Sequence, residues 1–164
     1  MPCAMQGGDH VKVFLGGTCN DSTWRERLIP LLKIDYFNPV VPDWTPECQA
    51  EEIRQRESCD FVLYTITPLM TGVYSIAEAV DDSNKRPGRT VFCVLAEDCH
   101  KGQPHNIPSY AFGDGQMRSL RAVSAMVERN GGKAVDSLEA VANYMNVKWL
   151  AAHLNAHRCA DCQE

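Results

Sequence analysis

Short apolar runs alternate with longer amphipathic runs along this chain, and this alternation restricts its fold more than any other feature. Five β-branched or aromatic runs predict strands, which lie at residues 11–15, 34–41, 60–66, 90–96 and 133–135. Five segments with helical spacing predict helices, which lie at residues 22–33, 46–58, 73–83, 116–130 and 137–157. Strands that alternate with helices indicate βαβ units. We therefore expect an α/β protein, a three-layer α/β/α sandwich with a five-stranded parallel sheet, flavodoxin- or Rossmann-like, in the order 2-1-3-4-5.

The length, charge and cysteine content of the chain disfavour several other classes. Its 164 residues suffice for a single domain, which we place at residues 11–157 between flexible ends at residues 1–10 and 158–164. The 16 Lys and Arg residues are scattered and outnumbered by 21 Asp and Glu residues, which argues against a nucleic-acid partner. Eight cysteines are too sparse for a disulfide scaffold, so we expect a reducing compartment.

Membrane attachment and secretion are disfavoured as well. No run approaches the ~18 apolar residues of a membrane span. The first apolar run, from Val11 to Leu15, is interrupted by Lys12 and is too short for the core of a signal peptide. The sequence therefore predicts a cytoplasmic protein without a membrane partner.

The predicted ligand crevice lies between the carboxyl ends of the first and third strands, because the order 2-1-3 reverses there. Gly16, Gly17 and Thr18 follow the first strand in a turn, where glycine lets the backbone approach a ligand and the next helix offers N–H groups to an anion. Asn20 and Ser22 either bind sugar hydroxyls or a phosphate, or form the turn and the helix cap. The pattern is not GxGxxG and no acidic residue ends the second strand, so NAD-dependent redox chemistry is disfavoured.

A helix after the third strand carries a carboxylate among small residues. Gly72 precedes this helix, and Glu78 stands between Ala77 and Ala79. Tyr74 comes four residues before Glu78 and therefore shares its helix face. Spacing alone leaves two interpretations of Glu78, an ordinary surface residue or a carboxylate held near the floor of the crevice.

Three further features lie outside this pattern. Residues 97–115 lack periodicity and predict a long loop of the kind that often forms a lid. Trp44 lies in a proline-containing loop and is a candidate for stacking on a base, whereas Trp24 is more typical of a core. Four potential zinc ligands occur near the C-terminus, namely His153, His157, Cys159 and Cys162. One CxxC pair is a weak signal, so we expect a disordered tail and no metal.

Four motifs follow one another in order over roughly residues 11–135. They are Val13-Phe14-Leu15-Gly16-Gly17-Thr18, Phe37-Asn38-Pro39, Cys59-Asp60-Phe61-Val62-Leu63-Tyr64 and Tyr74-Ser75-Ile76-Ala77-Glu78. The first is a strand with a glycine loop, the third an acidic residue that opens an apolar strand, and the last a helix that carries Glu among small residues. Together they resemble the nucleoside 2-deoxyribosyltransferase family, in particular its compact branch from bacteria and phages.

The resemblance implies an enzyme that cleaves or exchanges the N-glycosidic bond of a (deoxy)nucleoside or nucleotide. Glu78 is then the nucleophile that forms a glycosyl-Glu intermediate, and Glu52, with Glu51 beside it, assists the departure of the base. No metal or organic cofactor is implied. Two alternatives remain open: an NAD- or nucleotide-glycohydrolase, and a module that binds a nucleotide without turnover.

The sequence departs from the family at one position of the implied site. Better-studied relatives carry a tyrosine in or near the first strand that hydrogen-bonds the nucleophile, whereas this chain has Val13 and Phe14 there. Tyr74 and Tyr64 are the candidates to replace it, and Tyr74 is our choice for the catalytic group.

The remaining implied contacts are with substrate. The candidate substrate-binding residues are Gly16, Gly17, Thr18, Asn20, Ser22, Arg25, Trp44 and Gly72. Within this set Arg25 is expected to support a phosphate. The implied partners are a small-molecule nucleoside or nucleotide and further copies of the chain in a homo-oligomer.

Overall fold

The structure of the chain is a computed structural model that describes residues 10–19, 21–104 and 110–160. Residues 1–9, Asn20, residues 105–109 and residues 161–164 lie outside this description. The expected flexible N-terminus, apart from residue 10, and the last four residues of the expected flexible tail therefore fall outside the described residues.

Five parallel strands form the central sheet. They are β1 (Lys12–Gly17), β2 (Asp35–Phe37), β3 (Phe61–Ile66), β4 (Thr90–Val94) and, after two short strands described below, β7 (Lys133–Val135). Their spatial order is β2-β1-β3-β4-β7. This order confirms the predicted 2-1-3-4-5 sheet and places the order reversal between β1 and β3.

Helices cover both faces of the sheet. The five α-helices are α1 (Trp24–Leu28), α2 (Pro46–Ser58), α3 (Tyr74–Lys85), α4 (Asp114–Arg129) and α5 (Leu138–Ala160). Successive strand side chains point to opposite faces, so Val13 and Leu15 pack with residues of α1 and α5, while Phe14 packs with residues of α3 and α4. The α/β/α sandwich is confirmed, with one apolar cluster on each side of the sheet.

Prolines account for the main differences in element boundaries. The predicted first helix, at 22–33, is only five residues of α-helix followed by a 3-10 turn at Ile29–Leu31, because Pro30 has no N–H for a continuing α-helix. The predicted second strand, at 34–41, is reduced to β2, because Pro39 and Pro42 cannot donate to a sheet ladder. β2 lies at the edge of the sheet and pairs with β1 alone among the described strands.

The segment at residues 97–115 contains more structure than its lack of periodicity predicts. Two short strands, β5 (Glu97–Asp98) and β6 (Tyr110–Ala111), pair antiparallel outside the main sheet. Asp98 is buried and accepts a hydrogen bond from Ser22, which joins this hairpin to the start of α1. α4 then begins at Asp114, two residues earlier than its apolar spacing predicts.

Candidate active site

A small cavity opens between the carboxyl ends of β1 and β3, where the strand order predicts the ligand crevice. Its volume is about 170 Å³. The lining residues come from the end of β1, the end of β3 and the start of α3: Gly17, Thr18, Cys19, Ile66, Met70, Thr71, Gly72, Tyr74 and Ser75. Pockets that enclose a whole ligand usually exceed about 300 Å³, so this cavity has room for one part of a nucleoside.

The two glycines expected in a turn are instead the last two residues of β1. Gly17 pairs with Thr65 of β3 and has φ of +116°. A Cβ atom at Gly17 would lie 2.1 Å from the carbonyl oxygen of Thr65, and one at Gly16 would lie 2.9 Å from the ring of Tyr64. The glycines therefore let β1 and β3 approach each other, and Gly17 lines the cavity with backbone.

Thr18 fastens the end of β1 to the end of β3. Its N–H donates to the carbonyl of Thr65 at 2.8 Å, and its hydroxyl oxygen accepts from the N–H of Thr67 at 2.9 Å. The side chain is buried. The backbone and the side chain of Thr18 therefore both fix the wall of the cavity where β1 and β3 end.

The side chains of Ser22 and Arg25 make hydrogen bonds with other groups of the protein. The hydroxyl of Ser22 donates to Asp98 and accepts weakly from the N–H of Trp24 at 3.5 Å, whereas the N-cap residue of α1 is Thr23. The guanidinium of Arg25 is buried and donates to the carbonyl oxygens of Leu15 and Thr18 at 2.8–3.1 Å. Both side chains thus hold the loop after β1, and the arrangement does not support the expectation that Arg25 binds a phosphate.

Glu78 lies on α3, one turn beyond Tyr74 and on the same helix face, and it does not itself line the cavity. Its side chain is 21% exposed, and Oε1 accepts a hydrogen bond from Nη1 of Arg56 at 2.9 Å. Burial raises the pKa of Glu78, the charge of Arg56 opposes this effect, and the charges of Asp82 and Glu52 add to it. Glu78 is therefore a half-buried carboxylate whose pKa is affected by two other carboxylates, Asp82 and Glu52.

Glu52 and Glu51 have different surroundings on α2. Burial raises the pKa of Glu52, and Glu52 lies near enough to Glu78 for its charge to raise the pKa of that group. Glu51 instead accepts hydrogen bonds from Arg54 and Gln55, which lower its pKa to about 2. Of the two acids left open by the sequence, Glu52 is the one whose pKa is raised, and Glu51 the one whose pKa is lowered.

Neither Tyr64 nor Tyr74 is placed as the hydrogen-bond partner of Glu78 that the resemblance implies. Tyr64 lies buried in β3, and its hydroxyl donates to Asp82 at 2.6 Å. Tyr74 is 75% exposed at the first turn of α3. Among the described residues, Arg56 is the hydrogen-bond partner of Glu78.

Arg56 and Asp82 interact with Glu78, and the sequence motifs did not single them out. α2 was interpreted as a surface helix because it is rich in Glu, Gln and Arg, yet the Arg56 side chain is only 18% exposed. Asp82 is fully buried. The one sequence signal was the spacing on α3, since Asp82 follows Glu78 by four residues and therefore shares its face.

Three other predicted contacts have different positions. Trp44 is 58% exposed in the loop before α2, where a planar face is available for stacking. Gly72 lines the cavity and has no atom within 4 Å of a Cβ built on it. Asn20 lies outside the described residues.

Two further expectations concern the four potential zinc ligands near the C-terminus and the absence of a membrane span. Within residues 10–19, 21–104 and 110–160, no group of three His, Cys, Asp or Glu side chains is placed to hold a metal ion. The backbone of His153, His157 and Cys159 lies in α5, and Cys162 lies outside the described residues. In the same part of the chain, none of the helices combines the length and apolarity of a transmembrane segment.

Comparison with known proteins identifies a family match over the first part of the chain. Residues 10–97 match a protein-family model described as nucleoside 2-deoxyribosyltransferase like. This segment is more than half of the 164 residues and contains β1 to β4, α1 to α3, Glu52 and Glu78. A search of curated proteins gave no match. The family match confirms the resemblance found in the four sequence motifs.

Proposed function

The chain belongs to the nucleoside 2-deoxyribosyltransferase-like family, and from this premise we propose that it cleaves or exchanges the N-glycosidic bond of a 2′-deoxynucleoside or its nucleotide. One observation carries the proposal. Glu78 is half-buried on the helix that follows the order-reversal crevice, and the charge of Glu52 reaches it from α2. Two carboxyl groups close enough for their charges to interact are the groups that a retaining glycosidic reaction requires.

Glu78 acts as the nucleophile in the proposed reaction. One carboxylate oxygen bonds to the anomeric carbon C1′, the C1′–N bond breaks, and its electron pair goes to the ring nitrogen of the base. This step makes a deoxyribosyl-Glu78 ester and divides one difficult displacement into two easier ones. The hydrogen bond from Arg56 favours the anionic form of Glu78 that the attack needs.

Glu52 supplies the proton for the leaving base. Burial raises its pKa, so a larger fraction of Glu52 is protonated near neutral pH than for an exposed glutamate. In the second step the incoming acceptor, a nitrogen of a free base in transfer or the oxygen of water in hydrolysis, bonds to C1′ while the Glu52 carboxylate takes its proton. The electron pair of the C1′–O bond returns to Glu78, which restores the enzyme.

The cavity accommodates the sugar end of the substrate in this proposal. Thr71, Tyr74 and Ser75 line it, and Tyr74 shares a helix face with Glu78. Its volume of about 170 Å³ leaves the base outside, and Trp44, exposed in the loop before α2, is the candidate to stack on it. Stacking on an indole is worth about 1–3 kcal/mol per base.

Hydrolysis is the second candidate outcome for the same intermediate. The family tyrosine that bonds the nucleophile has no counterpart here, since Tyr64 bonds to Asp82 and Tyr74 is largely exposed. An intermediate in such an open site is accessible to water as well as to an acceptor base. The ratio of transfer to hydrolysis therefore depends on the concentration of free base.

Incubation with a panel of 2′-deoxynucleosides and their 5′-monophosphates, with and without a free acceptor base, tests the proposal. Chromatography detects base exchange and release of free sugar. We expect Glu78→Gln to lower kcat about 10³-fold or more, because it removes the nucleophile. Glu52→Gln should lower kcat about 10²-fold, the lower end for loss of a general acid.

Glu51→Gln is the matched control, because Glu51 lies beside Glu52 on α2 but bonds to Arg54. Its activity should equal that of the wild type. Intact mass spectrometry of the wild type should also show a protein carrying one deoxyribosyl group. Full activity of Glu78→Gln contradicts the assignment of Glu78. A rise in Tm with a nucleotide, without exchange or hydrolysis across the panel, indicates a binding module instead.

A further inference from the structure

Arg56 joins two carboxylates that lie one turn apart on α3. Its Nη1 donates to Oε1 of Glu78 at 2.9 Å, while its Nε and Nη2 donate to the two oxygens of Asp82 at 2.8 and 3.2 Å. The contact with Asp82 is the bidentate fork that a planar guanidinium makes best. A side chain from α2 is thereby held in one orientation on α3.

Asp82 is a firm anchor for this guanidinium. Its carboxylate is fully buried and also accepts hydrogen bonds from the hydroxyl of Tyr64 and from Nη1 of Arg86. Burial pushes the pKa of Asp82 upward, but the bonds from Arg56 and Tyr64 and the charge of Arg86 outweigh it, and the pKa is lowered. Burial and the bond to Asp82 raise the pKa of Tyr64, so the phenol remains a donor. Asp82 is therefore an anion that accepts four hydrogen bonds from three side chains, two of them from Arg56.

We propose that Arg56, oriented by Asp82, is a positioning residue that holds Oε1 of Glu78 and leaves Oε2 for attack on the anomeric carbon. The inference rests on the proposed function, because it assigns a task to residues around the nucleophile of that reaction. Within the described residues, Arg56 bonds to Oε1 alone. A carboxylate held by one oxygen keeps its other oxygen in a defined direction, and misplacement of a reacting atom by about 1 Å can cost 10²-fold in rate.

The arrangement also determines how Glu78 titrates. The charged or titratable groups that face it are Arg56 and Glu52 from α2, Asp82 from its own helix, and Tyr64 from β3. Burial and the charges of Asp82 and Glu52 raise the pKa of Glu78, and Arg56 is the group that opposes them. Removal of the Arg56 charge leaves only the groups that raise this pKa.

NMR titration of Glu78 tests this inference without turnover. Glutamate labelled with ¹³C at the side-chain carboxyl gives one resonance per residue, and loss of a signal in Glu78→Gln identifies Glu78. We expect Arg56→Gln to raise the Glu78 pKa by about 1 pH unit or more, the effect of losing an adjacent cation. Arg54→Gln is the matched control, because Arg54 lies on the same helix but pairs with Glu51 at the surface. A Glu78 pKa that is unchanged in Arg56→Gln, or shifted equally by Arg54→Gln, overturns the proposal.

Arg56→Lys separates position from charge and serves if Arg56→Gln does not fold. Lysine keeps a positive charge, but its ammonium cannot make the two parallel hydrogen bonds to Asp82 and bond to Glu78 at the same time. We expect kcat to fall about 10-fold or more with KM nearly unchanged, while the Glu78 pKa moves less than in Arg56→Gln. Wild-type kcat in Arg56→Lys overturns the positioning role.

Asp82→Asn tests the anchor. Asparagine offers one acceptor oxygen where Asp82 offers two anionic ones, so the Nε–H proton of Arg56 should exchange with solvent faster than in the wild type. Unchanged exchange of that proton overturns the role of Asp82. A protein without glycosidic activity still gives a result in both NMR measurements, so failure of the proposed function and failure of this inference are distinguishable.

Discussion

At the scale of single residues, two glycines beside the cavity have opposite structural requirements. Gly17 has a positive φ, and a Cβ atom there would overlap the backbone of Thr65. Gly72 has no atom within 4 Å of a built Cβ. The glycine-rich character of the site therefore has two physical origins, a close approach of two strands at Gly17 and an open loop at Gly72.

We predict that Gly17→Ala destabilises the fold by about 3 kcal/mol, since it combines backbone strain with overpacking between β1 and β3. Gly72→Ala should change the free energy of unfolding by less than about 0.5 kcal/mol, as expected for an open surface position. Urea denaturation of both variants measures the difference. Equal stabilities would show that β3 moves away from β1 at little cost.

The sequence predicts that Glu78 and Glu52 lie on helices, as the structure shows, but it does not predict the partners of Glu78. Spacing along one helix shows which residues share a face, and so Tyr74 was associated with Glu78. Arg56 is 22 residues from Glu78 in the chain, and a contact of this kind depends on how two helices pack. The composition of α2 indicated a solvated helix, and nothing in its periodicity marked Arg56 as a residue that turns inward.

At the scale of the elements, α2 and α3 differ in how they are held. Gln55 is the one buried residue of α2, whereas α3 buries Ala79, Asp82 and Ser83. α2 is attached mainly by side-chain bonds, from Arg56 to α3 and between Gln55 and Lys12 of β1. Its Thr45 cap accepts from the N–H of Cys48 and stabilises its first turn.

Hydrogen exchange should distinguish these two helices. We expect the amides of α2 to exchange about 10-fold or more faster than those of α3 under native conditions, because local opening of α2 exposes little apolar surface. Mass spectrometry of peptides from each helix measures the rates. Protection of α2 equal to that of α3 would mean that α2 opens only with the whole domain.

At the scale of the whole molecule, the architecture is predictable because local patterns mark the strands and helices, and the handedness of crossovers limits their order. Apolar runs marked the five strands, and right-handed crossovers left few possible strand orders. The element ends were less predictable, because Pro30, Pro39 and the β5–β6 pair act through hydrogen bonds that periodicity does not show. The cavity followed from the strand order alone.

Cysteine alkylation reports on unfolding of the whole domain. Cys19 is exposed, whereas Cys59, Cys93 and Cys99 are buried. Burial, with the charge of Asp136, raises the pKa of Cys93 to about 12. At pH 8 we expect iodoacetamide to modify Cys19 in the native protein and Cys93 only at the rate of global unfolding, as read by peptide mass spectrometry. Rapid modification of Cys93 without denaturant would contradict a closed core between β4 and its neighbours.

The outer strands of the sheet are much shorter than its inner ones. β2 and β7 have three residues each, against five or six in β1, β3 and β4. A three-residue edge offers few unpaired N–H and C=O groups as a template for another chain. Continuous sheets that run from one molecule into the next are therefore disfavoured, and copies of this protein would meet through helical or loop surfaces.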